Sequence, residues 1–263
     1  MPHTPYWQDP LSPEERASYE EDLISFCDRE LDLLGDIEGL SVLYAGGSSL
    51  LWLEGLSWRI GEKAVLTAFD ADSERLRESR KLLVEDDLAA PIHLVSGAAF
   101  DPPFSLGTFD LVYSAGLFHE LDVREKPVQD ALASLACVVR PGGRVATSDF
   151  VDSLPAVQLG DEELQRELAW EASGAEYYGI GSPERLVALH EALLARVQWR
   201  VSPPHPIRHL DKIVLAQREP EELRSLPAST KRKLRERRQA LWERIRVEGY
   251  TRPATLYVEG TVT

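Results

Sequence analysis

The feature that most constrains this chain is an alternation between residues 42 and 147. Short apolar runs at Val42 to Tyr44, Val65 to Phe69, Ile92 to Val95, Leu111 to Ser114 and Arg144 to Thr147 read as strands, and helical patterns fill most of the gaps between them. Strands joined through helices lie parallel, and a parallel sheet is buried on both faces. The predicted fold is therefore α/β: a mostly parallel seven-stranded sheet with helices on both faces, a terminal antiparallel strand pair and helical decorations. Sites in such sheets form at the carboxyl ends of the strands.

The flanks divide the 263 residues further. Apolar positions at helical spacing from residue 12 to 35, introduced by Ser12 and Pro13, predict a leading helix within a segment 1–40. Residues 41–218 are expected to form the sheet domain, with an insertion at about 154–182 that either closes over the strand ends or packs on the surface. Residues 219–263 form a C-terminal extension of a helix, roughly Ser229 to Val247, and a strand-like run, Thr255 to Val262, without an assigned place. A helix is expected over Pro183 to Val197. The runs Val197 to Val201 and Lys212 to Gln217 are separated by about ten residues, too few for a helical crossover, and are predicted to pair antiparallel with each other.

A net charge of −15 repels phosphate backbones and anionic lipid surfaces, so neither nucleic acid nor membrane is expected as a partner. The basic run Lys231 to Arg238 sits among glutamates in a helical pattern and reads as a solvated face. Cys27 and Cys137 each fall in an apolar helical pattern and read as small buried residues rather than a disulfide framework. The opening MPHTPYWQDP has neither a basic start nor an apolar stretch, so a cytoplasmic protein is expected. His205 and His209 alternate with prolines, but no cysteine or HExxH pattern accompanies them, and no metal is expected. Oligomeric state is not legible.

Chemistry concentrates in the strand ends. After the first strand, Gly46, Gly47, Ser48 and Ser49 make a small turn that lets backbone approach a ligand, and the following helix N-terminus offers free N–H groups. Asp70 ends the second strand, placed to accept both hydroxyl hydrogens of a ribose, while Asp72 and Ser73 read as the cap and first turn of the next helix.

Five segments, VLYAGG, LTAFDAD, HLVSGAAFDPPF, GTFDLVYSAGLFHEL and VVRPGGRVATSDF, resemble in order and spacing the class I S-adenosylmethionine-dependent methyltransferases. The resemblance implies S-adenosylmethionine as cofactor and methyl transfer to a small-molecule acceptor. It implies that Ala45, Gly46, Gly47 and Ser48 pass under the methionyl part, that Asp70 holds the ribose, and that Ala71 lies against the adenine. Ala98, Ala99 and Phe100 would cover the other face of the adenine, and Ser114 and Ala115 would close the pocket near the sulfonium.

Four positions depart from the family. The acidic residue usual near the end of the first strand is Tyr44, the usual later glycines of the loop are Ser48 and Leu50, and an acidic position near the adenine is Ala98, with Asp101 close by. These departures keep open an alternative in which the fold is non-catalytic or uses the cofactor for other chemistry. A nicotinamide-dependent oxidoreductase would share the turn and Asp70, but the Pro141-Gly142-Gly143 turn and the closing antiparallel pair argue against it. The candidate catalytic base is His119, beside Glu120 just past the fourth strand, with a plain packing role as its alternative. Asp149, Tyr177 and Tyr178 are further candidates to face the same pocket.

Overall fold

The predicted rhythm of strand and helix is what the backbone adopts, in a computed structural model that describes residues 10–83, 88–152 and 154–263. The opening stretch on which the expectation of cytoplasmic residence rested lies almost wholly outside those residues. The strands are β1 (Val42–Ala45), β2 (Leu66–Asp70), β3 (Ile92–Ser96), β4 (Phe109–Ala115), β5 (Val139–Phe150), β6 (Ala195–Ser202) and β7 (Thr255–Thr261), in the sheet order β3-β2-β1-β4-β5-β7-β6. The first five run parallel, and β7 runs antiparallel to both of its neighbours.

The helices are α1 (Pro13–Asp32), α2 (Leu50–Ile60), α3 (Ser73–Leu83), α4 (Val128–Cys137), α5 (Ala156–Ser173), α6 (Pro183–Glu191), α7 (Leu210–Leu215), α8 (Glu222–Ser225) and α9 (Ala228–Glu248). α1 starts as its sequence predicts: Ser12 Oγ accepts from the Glu15 N–H while Glu15 returns its carboxylate to the Ser12 N–H. α1 and α2 cover one face of the sheet, where Phe26, Leu31, Trp52 and Leu53 pack on Val42, Tyr44 and Tyr113. α4 and α6 cover the other, where Leu132, Leu135, Leu186 and Leu189 meet Leu43, Val112, Val145 and Leu256. α5, α8 and α9 share a third apolar cluster around Val157, Leu223, Leu234, Leu241 and Ile245. None of the described helices is long and apolar enough to cross a membrane.

The structure corrects the predicted late hairpin. Lys212 to Gln217 is not a strand: Leu210, Ile213 and Val214 fall on one side of a helical turn and the segment forms α7. The strand that pairs with β6 is β7, with Trp199 opposite Val258 and Val201 opposite Leu256. The unassigned run at the end of the chain is thus an inner strand of the sheet, buried from Thr255 through Gly260. The helix expected to reach Val197 ends at Glu191, because β6 begins at Ala195. Cys27 is buried as expected, whereas Cys137, at the last turn of α4, is exposed.

Candidate functional site

The ends of β3, β2, β1 and β4 lie side by side, in the register Ser96 to Asp70, Phe69 to Ala45 and Ala45 to Ser114. Beyond β1 the chain folds back sharply: Gly46 takes φ 71°, and the Gly46 and Gly47 N–H groups both donate to the Phe69 carbonyl at 2.9 and 3.0 Å. A Cβ on Gly47 would stand 2.5 Å from the Tyr44 ring and 2.7 Å from the Tyr44 carbonyl oxygen, so the loop closes only with glycine there. From α3, Ser79 Oγ donates to the Ser48 carbonyl at 2.7 Å and fixes the far side of the loop. Ser49, the N-cap of α2, makes no side-chain capping bond, leaving the first N–H groups of that helix to face the loop.

Tyr44, which stands where an acidic residue was expected, packs its ring beneath the loop, against Gly47. It is 1% exposed and stacks on Tyr113 with ring centroids 5.9 Å apart. At the end of β2, one Asp70 oxygen accepts the Asp72 N–H at 2.9 Å, and among the described residues nothing bonds the other. Asp72 caps α3 as predicted, accepting from the Glu74 and Arg75 N–H groups. The Gly97 N–H donates to the Asp70 carbonyl, which brings the 98–101 turn beside that carboxylate.

Within this turn Ala98 is exposed, Ala99 is buried in the core, and Phe100 is half-buried. Ala71 is exposed at the rim and Ala115 is half-buried. Ser114 is brought to the edge, but its hydroxyl turns inward to Thr147 Oγ1 at 3.4 Å.

A second constellation sits at the ends of β4 and β5. Asp149, 2% exposed, receives the Phe118 and His119 N–H groups on one oxygen, at 2.7 and 3.2 Å. Its other oxygen meets His119 Nδ1 at 2.6 Å and the Phe150 N–H at 2.7 Å. Burial by itself lowers the His119 pKa, but the charge of Asp149 and the hydrogen bond to it outweigh burial, and with Glu120 and Glu162 they hold the pKa at about 9. Glu162, on α5, is raised by burial and partly restored by the charge of His119. Phe118, Phe150, Tyr178, Ser182 and Arg185 line a small cavity against this pair.

The insertion supplies the cover. Residues 176 to 181 run as a strap: Tyr178 N–H donates to the Leu121 carbonyl, Gly179 N–H to the His119 carbonyl, and Val123 N–H to the Glu176 carbonyl, at 2.8 to 2.9 Å. The Asp152 N–H bonds the Gly181 carbonyl, and the Arg185 guanidinium sits 3.6 Å over the Tyr178 ring. Tyr177 bridges to Asp122 and lies outside the cavity. His205 and His209 separate, the first 5.7 Å from the Phe26 ring and the second 3.9 Å from Glu15. Sequence reasoning missed Glu162 and Arg185, which come from the insertion and α6, where no motif marks them.

Residues 43–147 match the family model described as methyltransferase domain. An O-methyltransferase of Penicillium expansum, cnsE, is 30% identical over 158 residues, covering 58% of this chain and 52% of that protein; the chain thus spans about half of its length. Among solved structures, the YcgJ protein of Bacillus subtilis shares the fold at TM-score 0.59 and 17% identity, over 90% of this chain and 98% of that one. So does a putative sarcosine dimethylglycine methyltransferase of Galdieria sulphuraria, at TM-score 0.59 and 14% identity, over 97% and 91%. The family match thus runs from β1 into β5, the part of the chain that carries the glycine turn, Asp70 and His119, and the solved structures share the fold over most of the chain.

Proposed function

We propose that this chain transfers the methyl group of S-adenosylmethionine to a nucleophile on a small molecule, and that His119 is its base. The observation that carries the reading is the edge where the glycine-only turn at Gly47 and an Asp70 oxygen that nothing bonds among the described residues stand at the ends of two adjacent strands. A nucleoside carrying a methionyl arm fits that edge. Asp70 would hold the ribose hydroxyls, Ala71 and the turn Ala98 to Phe100 would flank the adenine, and Ala45 to Ser48 with the first turn of α2 would run beneath the methionyl carboxylate. Ser114 and Ala115 would stand at the sulfonium end. The cofactor, when bound, supplies an electrophilic methyl group.

The remaining work is positioning and proton removal, for which His119 is built. Asp149 fixes its ring through Nδ1, so Nε2 is the atom left to take a proton from the acceptor. The strap over His119 keeps bulk water from this side. With the imidazole held at about 9, it is protonated at neutral pH and becomes a base only as pH rises.

Calorimetric titration with S-adenosylmethionine and S-adenosylhomocysteine should show binding of both, and absence of either uptake would refute the reading. In a methylation assay, kcat/KM should climb about tenfold per pH unit from 7 and level near pH 9. His119→Asn should flatten this profile while cofactor affinity stays the same.

A second reading, cofactor binding without methyl transfer, is favoured by Tyr44, whose burial beneath Gly47 leaves no carboxylate on β1 for the methionyl ammonium. Cofactor uptake with no methylation of any acceptor in a broad panel would select it.

A further inference from the structure

One inward-facing cation takes no part in anything described so far. Arg252 lies between α9 and β7, on a backbone that is firmly held. Its N–H donates to the His205 carbonyl at 3.1 Å, its carbonyl accepts from the His205 N–H at 3.2 Å, and Gln158 of α5 grips the preceding Thr251 carbonyl at 2.7 Å. The side chain lies among aromatic rings, with the guanidinium carbon 4.3 Å from the Phe26 ring centroid and 5.5 Å from that of Phe150. Nε is buried and has no hydrogen-bond partner, and among the described residues no ion pair ties the guanidinium to a carboxylate. Burial pushes its pKa down, and Glu30 pushes it part of the way back.

An unanswered buried donor is costly, and the fork of N–H groups on a guanidinium matches a planar oxyanion such as a carboxylate. Two further polar groups lie near the Arg252 side chain. His205 Nε2 is also buried without a partner. Glu30, 2% exposed, has one oxygen bonded by Thr255 Oγ1 at 2.9 Å and the other unpartnered. Its negative charge disfavours a dianion such as a phosphate monoester and leaves room for a monoanion.

Phe150 connects Arg252 to the proposed base, since its ring lies 4.9 Å from the His119 ring. An aromatic floor therefore has a guanidinium at one end and the His119–Asp149 pair at the other. Resting on the methyl-transfer reading above, we propose that Arg252 receives the carboxylate of an aromatic acceptor acid and so sets the acceptor's nucleophile against His119. A guanidinium gives no catalytic proton here; it orients.

The test titrates the full chain, loaded with S-adenosylhomocysteine, with benzoate and indole-3-acetate and with their neutral amides, benzamide and indole-3-acetamide. The carboxylates should bind at least about tenfold tighter than the amides. Arg252→Gln should erase that preference and Arg252→Lys should restore part of it, with S-adenosylhomocysteine affinity the same throughout. Glu30→Gln, which removes the opposing charge, should tighten carboxylate binding several-fold, and it decides the matter should Arg252→Gln fail to fold. Equal binding of acids and amides, a preference that survives Arg252→Gln, or weaker acid binding in Glu30→Gln overturns the proposal. Failure of the wild-type chain to take up S-adenosylhomocysteine defeats the methyl-transfer reading instead, and is seen before any acid is added.

Discussion

Asp149 uses both carboxylate oxygens on the turn that carries His119, four contacts from one buried side chain. Two of them bind backbone N–H groups of that turn, so the residue shapes the turn as well as charging its histidine. The pH dependence follows from the sign of the shift. The folded-state pKa of His119 is raised from 6.5 to about 9, so its stabilising contribution is fully present below about 6.5 and is lost as pH rises through 9. Asp149→Asn should therefore destabilise the chain by about 2 kcal/mol at pH 6, and by less at pH 9.5, in denaturant titrations at both values. A pH-independent difference would mean that the backbone bonds alone carry the effect.

Asp70 is the simpler case. It is half-exposed and caps no helix, so Asp70→Ala should leave stability nearly unchanged while weakening S-adenosylhomocysteine binding about tenfold to a hundredfold, as loss of charge-assisted bonds to two hydroxyls requires. Calorimetry beside a thermal melt separates the two effects.

Among the elements, the strap at residues 176–181 has the fewest resources of its own. It is held by backbone bonds to the His119–Val123 turn and to Asp152, and by Arg185 packed on Tyr178. Arg185→Ala should loosen it, and hydrogen exchange at the Tyr178 and Gly179 amides, whose partners are the Leu121 and His119 carbonyls, should speed at least tenfold while β1 and β4 stay protected. Unchanged exchange at those two amides would show that the backbone bonds suffice.

The strap and the sheet also differ in how they announce themselves in sequence. β1, β2 and β4 are largely apolar, largely buried runs, and Asp70, Gly47 and His119 sit at or just beyond their ends, at spacings legible before any coordinates exist. Leu210 to Leu215 is a short apolar segment, where helical and strand spacing overlap, and only burial of Ile213 and Val214 decides for the helix. Arg252, Glu30 and Glu162 come from three distant parts of the chain, and no local pattern marks any of them. Pairing of β6 with β7 is likewise set by what the sheet must cover, because nothing in β6 itself names a partner 61 residues away, as Gln198 is from Glu259.

At the scale of the whole molecule, the division drawn at residue 218 becomes a question about folding. The 219–263 extension is tied to the rest by charge, since Lys233 and Arg237 both meet Glu167 on α5 and Arg238 donates to the Gln217 carbonyl, while within the extension Arg235 pairs with Glu219 and Arg238 lies 3.8 Å over Trp242. The basic run is thereby largely engaged within the chain. More decisive is β7, which lies between β5 and β6 with Leu256 and Val258 wholly buried and Tyr257 nearly so. Burial of each such side chain contributes roughly 1.5–3 kcal/mol, and together they are comparable to the roughly 5–15 kcal/mol that keeps a domain folded. Without β7, one edge of β5 is unpaired and β6 loses the strand to which all its ladder bonds run. A chain ending at residue 218 should therefore lack near-ultraviolet dichroism, elute as aggregate and take up no S-adenosylhomocysteine. Recovery of a monomeric fragment with native dichroism and cofactor binding would show instead that residues 41–218 are a self-sufficient domain on which β7 is only laid.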